Sequence, residues 1–427
     1  MPSDSAHAVY GSLNYPQAVY NFYSSRSFDF AWTGNNSYAL TDSLLSFIKS
    51  ARVHGLLPRD YHADEFKKRE NDTSFYYRKE VLLTDAFLSL ANDLKYGRLP
   101  STEDSSKDSL NLVSLENALK YNQVKKVLRN QEPVHQGYLD LKESLWELLS
   151  AADSSNAQLL YAGITIDSID LHKSVQQIEI NMERWRLEMT DLKQRYIWIN
   201  IPSYQLQVID NGRLVLDSRI IVGKPESPTP VLSSMIECIT LFPYWFVPRK
   251  IAVEEYLPEI KKDTAFLTRN NFDVLDRKGN MLDPATLEWE KFTSKYFPVS
   301  LRQREGPDNS LGVIKFIFDN PNAVFLHDTN VKSLFNRKAR MFSHGCIRME
   351  KALELAKYLA GDSGIIESKL QLKKRHTINL VHAIPIYTRY FTCERINGEL
   401  IFYDDIYQLD QPLIDLLYNQ RHCHATD

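Results

Sequence analysis

The sequence predicts an α+β protein: a helical N-terminal domain, then a mainly β domain with an inserted segment. Three observations predict it. Apolar residues recur at helical spacing over most of the stretch from Ala18 to Leu192. At Arg195 the pattern changes to short β-rich runs. Between Pro248 and Pro298 a mixed, charged stretch with little strand signal interrupts those runs.

The first helical stripe is Leu40, Leu44, Leu45, Phe47 and Ile48, behind the cap-like Thr41. Val81, Leu82, Ala86, Leu90 and Leu94 make a second, with Gly97 as its stop. Ser101 to Ser109, rich in Ser, Asp and Lys, reads as a loop. Helical spacing returns over Leu115 to Leu128, Tyr138 to Leu149 and Leu171 to Leu192, with a polar break around Asp153 to Asn156. Strands are then expected at Tyr196 to Ile201, Tyr204 to Ile209 and Leu214 to Val222, the last two joined by the turn Asp210-Asn211-Gly212-Arg213. Further strands are expected at Ile236 to Leu241, Val313 to Phe318, Ala323 to Leu326, Ile384 to Thr392 and Leu400 to Tyr403, with one helix from about Glu350 to Ala360.

The 427 residues allow about two or three domains. With 43% hydrophobic and 25% charged residues the chain is an ordinary folded one, neither disordered nor fibrous. Fifty-one Lys and Arg against 54 Asp and Glu leave a charge of −3, without the basic excess that nucleic-acid binding needs. No apolar run is long enough for a membrane span, and Met1-Pro2-Ser3-Asp4-Ser5 lacks the charged-then-apolar start of an export signal. The cysteines Cys238, Cys346, Cys393 and Cys423 are scattered and form no CxxC pair, which argues against zinc ribbons and dense disulfide frameworks.

Reactive side chains concentrate in Ser343-His344-Gly345-Cys346-Ile347-Arg348, with His327-Asp328 upstream after the apolar run Ala323-Val324-Phe325-Leu326. A thiolate is the reactive form of cysteine, so a nucleophilic Cys346 needs a base or a positive charge nearby, and this segment offers both. Gly345 lets the backbone turn so that the Gly345 and Cys346 N–H groups face one point, as an oxyanion hole requires. Arg348 can fork onto a substrate carboxylate. A single Cys near a His is more often core packing than catalysis; the combination carries the signal. Asp328, adjacent to His327 on a strand, points away from it, so a backbone carbonyl is at least as good a partner for the imidazole.

His327, fifteen residues, Ser343-His344-Gly345-Cys346 and Arg348 two places on resemble the signature of the L,D-transpeptidase family, with its YkuD-type catalytic domain. Ile197 to Gly223 is similar to that family's opening hairpin. Leu301-Arg302-Gln303, Gly306-Pro307, Asn309, Leu311-Gly312 and Lys315-Phe316 resemble the segment before the catalytic His in the large, YcbB-like branch. Leu83-Thr84-Asp85-Ala86 resembles a segment of that branch's helical scaffold. The resemblance implies a scaffold domain over 1–194 and a catalytic domain over 195–427, with 249–300 as a substrate-capping insertion. A peptidoglycan-binding module of the FQxxxGLxxDGxxGxxT type has no counterpart between Leu139 and Arg184, so it is expected to be absent or reduced.

What the resemblance implies is a bacterial peptidoglycan L,D-transpeptidase that forms 3→3 cross-links. Cys346 would be the nucleophile and His327 the base, with His344 and Gly345 in the catalytic turn and Arg348, Phe325 and Ser343 binding substrate. The partners would be a tetrapeptide stem as donor and a diaminopimelate amine as acceptor, with a carbapenem β-lactam as an inhibitor. No cofactor, metal or nucleic acid is implied, a monomer is expected, and the location would be the periplasm or cell envelope. The alternatives are a cysteine carboxypeptidase or amidase that hydrolyses stems, and a non-catalytic wall-binding scaffold. Ser46-Phe47-Ile48-Lys49 matches SxxK but lies in a helical stripe without KTG, and reads as chance. His422-Cys423-His424 at the terminus reads as a solvated tail.

Overall fold

The computed structural model describes residues 13–33, 38–68, 75–98, 106–153, 159–161, 164–166, 168–188 and 192–419. The chain folds as two compact units, one running to Thr190 and resuming at Phe391, the other spanning Asp191–Tyr390.

The first unit is helical. Its central helix, Tyr76–Tyr96, is buried along most of its length because the Val81, Leu82, Ala86, Leu90 and Leu94 stripe faces helices Pro16–Ser25, Tyr38–Lys49 and Ser106–Lys120 in one core. The last of these begins at Ser106, inside the stretch expected to be a loop. Three polar residues on the central helix organise what precedes it. Glu80 accepts the backbone N–H groups of Trp32 and Thr33 at 3.1 and 2.9 Å. Thr84 meets the Tyr23 hydroxyl (2.7 Å) and the Trp32 indole N–H (2.9 Å). Asp85, fully buried, takes the Tyr15 N–H (2.8 Å) and His62 Nε2 (2.7 Å). The Leu83-Thr84-Asp85-Ala86 segment thus pins residues 14–33 and 62 to the helix. Ser46 and Lys49 of the SxxK match lie on helix Tyr38–Lys49, where Phe47 and Ile48 are core and Ser46 Oγ accepts from Lys125 Nζ at 2.9 Å. Helices Gln136–Asp153 and Ser168–Leu187 follow, separated by the short antiparallel pair β1 (Leu159–Tyr161) and β2 (Ile164–Ile166).

The second unit holds β3 (Arg195–Asn200), β4 (Gln205–Asp210), β5 (Arg213–Gly223), β6 (Leu232–Leu241), β7 (Trp245–Phe246), β8 (Phe272–Leu275), β9 (Met281–Leu282), β10 (Ser300–Gln303), β11 (Ile314–Phe318), β12 (Leu326–His327), β13 (Met341–Ser343), β14 (Ile347–Met349) and β15 (His376–Arg389). Nine of them form a sheet in the order β13-β5-β14-β12-β11-β6-β15-β3-β4, and β4 pairs back onto β5. The long β5 gives its first half to β4 and its second half to β14 and β13, so the sheet closes on itself and leaves few unpaired edges. The strand expected over Ala323 to Leu326 is only Leu326–His327, because Asn320 turns the preceding backbone by accepting the Val324 N–H (3.0 Å) and donating to the Val324 carbonyl (2.8 Å).

The inserted segment builds its own sheet, β7-β10-β8-β9, over an apolar core that includes Ile251, Leu257, Ile260, Phe272, Trp289, Phe297 and Leu301. Its borders lie at β7 and β10, a few residues outside the expected 249–300.

The expected catalytic span of 195–427 is too long at its C-terminal end. From Phe391 the chain belongs to the helical unit, with β16 (Cys393–Ile396), β17 (Glu399–Phe402) and helix Asp410–Asn419. Phe391 stacks on Trp185 at 4.4 Å, Asn181 bonds Thr392 on both its N–H and its hydroxyl, and Arg184 pairs with Asp410 at 2.7 Å. Alternating strand residues look the same in either unit; the partners on helix Ser168–Leu187 decide. Residues 422–424 lie outside the described residues.

Asp85→Ala removes the acceptor of two N–H groups and the partner of His62 in a fully buried place. It is expected to destabilise the helical unit by about 3–5 kcal/mol, read as an earlier unfolding transition of the full chain in urea. An unmoved transition would show that packing alone holds residues 14–33.

Candidate active site

The site is built on two short parallel strands. Leu326 of β12 pairs with Ile347 of β14 and His327 with Arg348, the Ile347 N–H donating to the Phe325 carbonyl at 2.8 Å within the first pair, and Phe325 and Cys346 stand one residue before the two strands. Facing residues on paired strands share a side, and so do residues two apart along a strand. Phe325, His327, Cys346 and Arg348 therefore occupy one face. Cys346 and His327 are diagonal neighbours there, with Cα atoms about 8 Å apart from strand spacing and rise. On the other side of β12, Lys315 of β11 pairs with His327 and then with Thr240 of β6, so the row across the sheet reads Arg348, His327, Lys315, Thr240.

Each element of the turn before Cys346 has a visible cause. Gly345 sits at φ +108°, a conformation that disfavours any side chain even though a Cβ would meet nothing closer than 3.6 Å. Ser343, buried, donates from Oγ to the Cys346 carbonyl (2.5 Å) and accepts the Gly345 N–H (3.1 Å), closing the turn on itself. Thr229, also buried, donates to the Gly345 carbonyl (2.8 Å) while accepting the Gly223 N–H (2.9 Å). Gly223 must lack a Cβ, because one would lie 2.1 Å from the Ser227 carbonyl. Thr229 was invisible to sequence reasoning: it stands more than a hundred residues from the turn it braces.

Three of the expected site residues are engaged within the protein itself. The Gly345 N–H already has an acceptor in Ser343, so of the pair expected to form an oxyanion hole, Cys346 alone has an N–H with no acceptor among the described residues. Ser343 shapes the turn. His344 is not brought to the thiol: its Nε2 meets Glu255 of the insertion at 2.5 Å, and it lines a cavity of about 390 Å³ with Lys224, Glu226, Ser227, Pro248 and Glu254 that neither Cys346 nor His327 borders.

His327 is buried and its Nδ1 meets the Asp328 carbonyl at 2.5 Å. A carbonyl only accepts, so Nδ1 carries the proton and Nε2 keeps its lone pair. The Asp328 side chain serves elsewhere, accepting the Val313 N–H (3.0 Å) and pairing with Lys332. Gly312, at φ +61°, leaves room for it, since a Cβ there would lie 2.3 Å from Asp328 Oδ2. Gly312 and Val313 thus fix Asp328, and the Asp328 carbonyl holds the imidazole.

Burial, helped by the Arg348 guanidinium and more weakly by Lys315, holds His327 down at about 3, so the imidazole is neutral near pH 7. It is a base without a standing charge. Burial also raises the half-buried Cys346 thiol above the usual range, against a backbone hydrogen bond from Phe325 and the charges of Lys315 and Arg348. Arg348 itself is lowered by burial, and its Nε is buried without a hydrogen-bond partner. From the insertion, Tyr256 lies within electrostatic reach of Arg348 and is pushed up to about 12 by burial and Glu255. Phe325 carries the Lys315 ammonium on its ring, 3.3 Å from the centroid. Lys315, passed over as a site residue in the sequence, is placed by strand pairing. A further cavity of about 590 Å³ lies in the insertion among residues such as Arg277, Leu287, Phe292 and Tyr296, and none of the site residues borders it.

Because burial raises the Cys346 thiol and cations oppose that rise, its alkylation by iodoacetamide is expected to gain rate at a pH above that of a free cysteine. Arg348→Gln is expected to move the midpoint higher still, since the thiolate loses a favourable charge. A pH–rate profile checks both; a midpoint at or below that of free cysteine would show that the cations outweigh burial.

Residues 194–371 match the L,D-transpeptidase catalytic domain of the YkuD family, and residues 17–145 match a family described as a scaffold domain. A provisionally assigned L,D-transpeptidase of Haemophilus influenzae is 37% identical over 242 residues, which is 56% of this chain and 49% of that protein, so the chain matches about half of the relative's length. Among solved structures, an L,D-transpeptidase from Mycobacterium smegmatis is 14% identical over 46% of this chain and 58% of that one, with a TM-score of 0.24. The ertapenem-acylated catalytic domain of the Enterococcus faecium L,D-transpeptidase is 12% identical over 47% of this chain and all of that one, with a TM-score of 0.21. Both scores are too low to bear on the chemistry. With a catalytic-domain match that spans His327 through Arg348 and a scaffold match ahead of it, the chain carries an L,D-transpeptidase catalytic domain of the YkuD type behind a scaffold domain, the YcbB-like arrangement.

Proposed function

We propose that the chain is a peptidoglycan L,D-transpeptidase of the bacterial cell envelope that forms 3→3 cross-links through a thioester on Cys346. The observation that carries this reading is the shared face of β12 and β14, with the neutral His327 and the Cys346 thiol as diagonal neighbours. In the first step the sulfur attacks the carbonyl carbon of the L,D bond between diaminopimelate and the terminal D-Ala, and the thiol proton passes to His327 Nε2. The oxyanion takes the Cys346 N–H. When the C–N bond breaks, His327 returns the proton to the amine of D-Ala, and a thioester remains.

The low basicity of His327 suits this second transfer. An imidazolium flanked by Arg348 and Lys315 is a strong acid, so it gives up its proton readily to a departing amine. The diaminopimelate side-chain amine of a neighbouring stem then attacks the thioester, His327 takes the amine proton, and the thiolate leaves and is reprotonated. Arg348, whose Nε is buried without a hydrogen-bond partner, binds a carboxylate of the stem in this reading. The insertion meets the catalytic turn through Glu255 and His344 and reaches toward Arg348 with Tyr256, which suits a cap that limits water at the thioester.

Full-length protein incubated with disaccharide-tetrapeptides is expected to yield cross-linked dimers and free D-Ala by mass analysis, and Cys346→Ala and His327→Ala are expected to yield neither. Tripeptide monomers without dimers would replace this reading with hydrolysis.

A carbapenem is expected to add once, on Cys346, because its strained carbonyl offers the thiolate the same electrophile. Intact mass with peptide mapping checks it. An adduct on Cys238 or Cys393, or none while iodoacetamide labels Cys346, would remove the thioester step.

A further inference from the structure

We propose that Lys315, assisted by Arg375, forms a carboxylate-binding site beside Cys346, on the side of His327 opposite Arg348, and that it holds the free C-terminal carboxylate of the donor peptide. The identity of the donor rests on the reading above; the anion site itself does not.

Position comes from the strand register. Lys315 faces His327 on one side and Thr240 on the other, and Thr240 faces Thr377 of β15 in turn. The Lys315 ammonium is seated on the ring of Phe325, and Phe325 is held to the strand carrying Cys346 by the Ile347 N–H. The charge is thus fixed one strand away from the nucleophile. Two hydroxyls continue the row: Thr240 Oγ1 and Thr377 Oγ1 lie 3.4 Å apart, a long contact that leaves donor capacity for an incoming anion.

Charge balance sets Lys315 apart from the structural cations of the same unit. Arg302 and Arg304 share Asp273, each at 2.7 Å; Arg219 pairs with Glu350; Lys332 pairs with Asp328; and Arg340 donates to the carbonyls of Ile220, Tyr204 and Arg337. Among the described residues no carboxylate pairs with Lys315 or Arg375. The charged or ionisable groups that act on Lys315 are the Cys346 and Cys238 thiols and Arg375, a second cation. Arg375 lies 6.0 Å from the centre of the Tyr244 ring, one residue before β15, the strand that carries Thr377. Burial lowers the Lys315 ammonium, the thiols oppose that and Arg375 adds to it. Two neighbouring cations without an acid, one of them half-buried, cost free energy that a bound anion would recover.

The nucleophile selects the kind of anion. In the donor, the C-terminal carboxylate lies within one residue of the carbonyl that Cys346 attacks. One ammonium with two hydroxyls suits a carboxylate monoanion. The leaving D-Ala would be gripped while its bond is cut and then released as a free amino acid.

The test separates recognition of an anion from stabilisation of the thiolate. Iodoacetate and iodoacetamide both alkylate Cys346, the sulfur displacing iodide to form a thioether, but iodoacetate alone is charged. Any change in thiolate fraction alters both rates alike, so the ratio of the two rates reports the anion site. In the full chain, with Cys346 read by peptide mapping, Lys315→Gln is expected to lower the iodoacetate-to-iodoacetamide ratio by about five-fold, the size of one partly screened charge pair. Lys315→Arg is expected to restore most of it, and Arg375→Gln to lower it less. An unchanged ratio in folded Lys315→Gln would overturn the proposal.

A measurement on the unaltered protein stands beside it. N-acetyl-D-alanine is expected to protect Cys346 from iodoacetamide saturably, and its C-terminal amide is expected not to. Equal protection by the two would also overturn the site. A protein that keeps the iodoacetate preference yet forms no muropeptide dimers would retain the anion site and lose only the donor assignment. Dimer formation without the preference would do the reverse.

Discussion

The pairing of two short parallel strands is the constraint on which the rest of the catalytic unit depends. Two residue pairs, Leu326 with Ile347 and His327 with Arg348, set which side chains share a face. A slip of one residue would send His327 and Cys346 to opposite sides of the sheet. So short a pairing cannot hold its own register, and the surrounding contacts hold it from both ends. Ser343, Thr229 and Gly223 brace the turn that enters β14, while Gly312, Asp328 and Val313 brace the exit from β12. Closure of the sheet through β5, which pairs with β4, β14 and β13, removes the freedom that an edge would leave.

Within that frame the electrostatics run against the ordinary picture of a cysteine already ionised by a charged histidine. His327 is buried between Arg348 and Lys315 and stays neutral, and the thiol beside it is raised by its own burial. Ionisation of the sulfur is therefore deferred until an electrophile arrives, when His327 can take the proton and the two cations can stabilise negative charge on sulfur or substrate. A resting thiol is less exposed to adventitious oxidation or alkylation than a resting thiolate. The same two cations make the imidazolium short-lived, which favours return of the proton and opposes its uptake from the thiol, a cost they offset only through the negative charge they stabilise on sulfur or substrate.

Much of this was legible in the sequence where the signal is local. The change from helical to alternating periodicity at Arg195 coincides with β3, and the partner of His327 is a carbonyl, as the direction of adjacent strand residues implies. What was not legible depends on pairing between distant segments. Phe391 to Phe402 carries the same alternation as the strands before it, and only Trp185, Asn181 and Arg184 draw it into the helical unit. The Gly345 N–H seemed free until the rotamer of Ser343 was known. His344, inside the densest motif, meets the insertion through Glu255, while Lys315, in a plain strand, faces His327.

The insertion also reads differently once its core is seen. A charged segment with little strand signal shows no core in the sequence, yet Val247, Ile260, Phe272, Trp289 and Leu301 bury a core of its own, and β7 and β10 pair at its base. Such a subdomain moves as a body if it moves at all, because its internal packing resists deformation more than its two connections do. The connections are themselves restrained. Asn309 is buried and donates to the carbonyls of Pro243 and Arg304, tying the chain that enters the insertion to the chain that leaves it, three residues before Gly312. From Gly312 the line of contacts runs through Asp328 to the imidazole of His327. Displacement of the insertion is therefore coupled through Asn309 and Gly312 to the orientation of His327, and through Glu255 and His344 to the turn that carries Cys346. Both His327 and Cys346 are thus tied to the insertion, so in the proposed mechanism a substrate that settles it would also set the distance across which the proton passes.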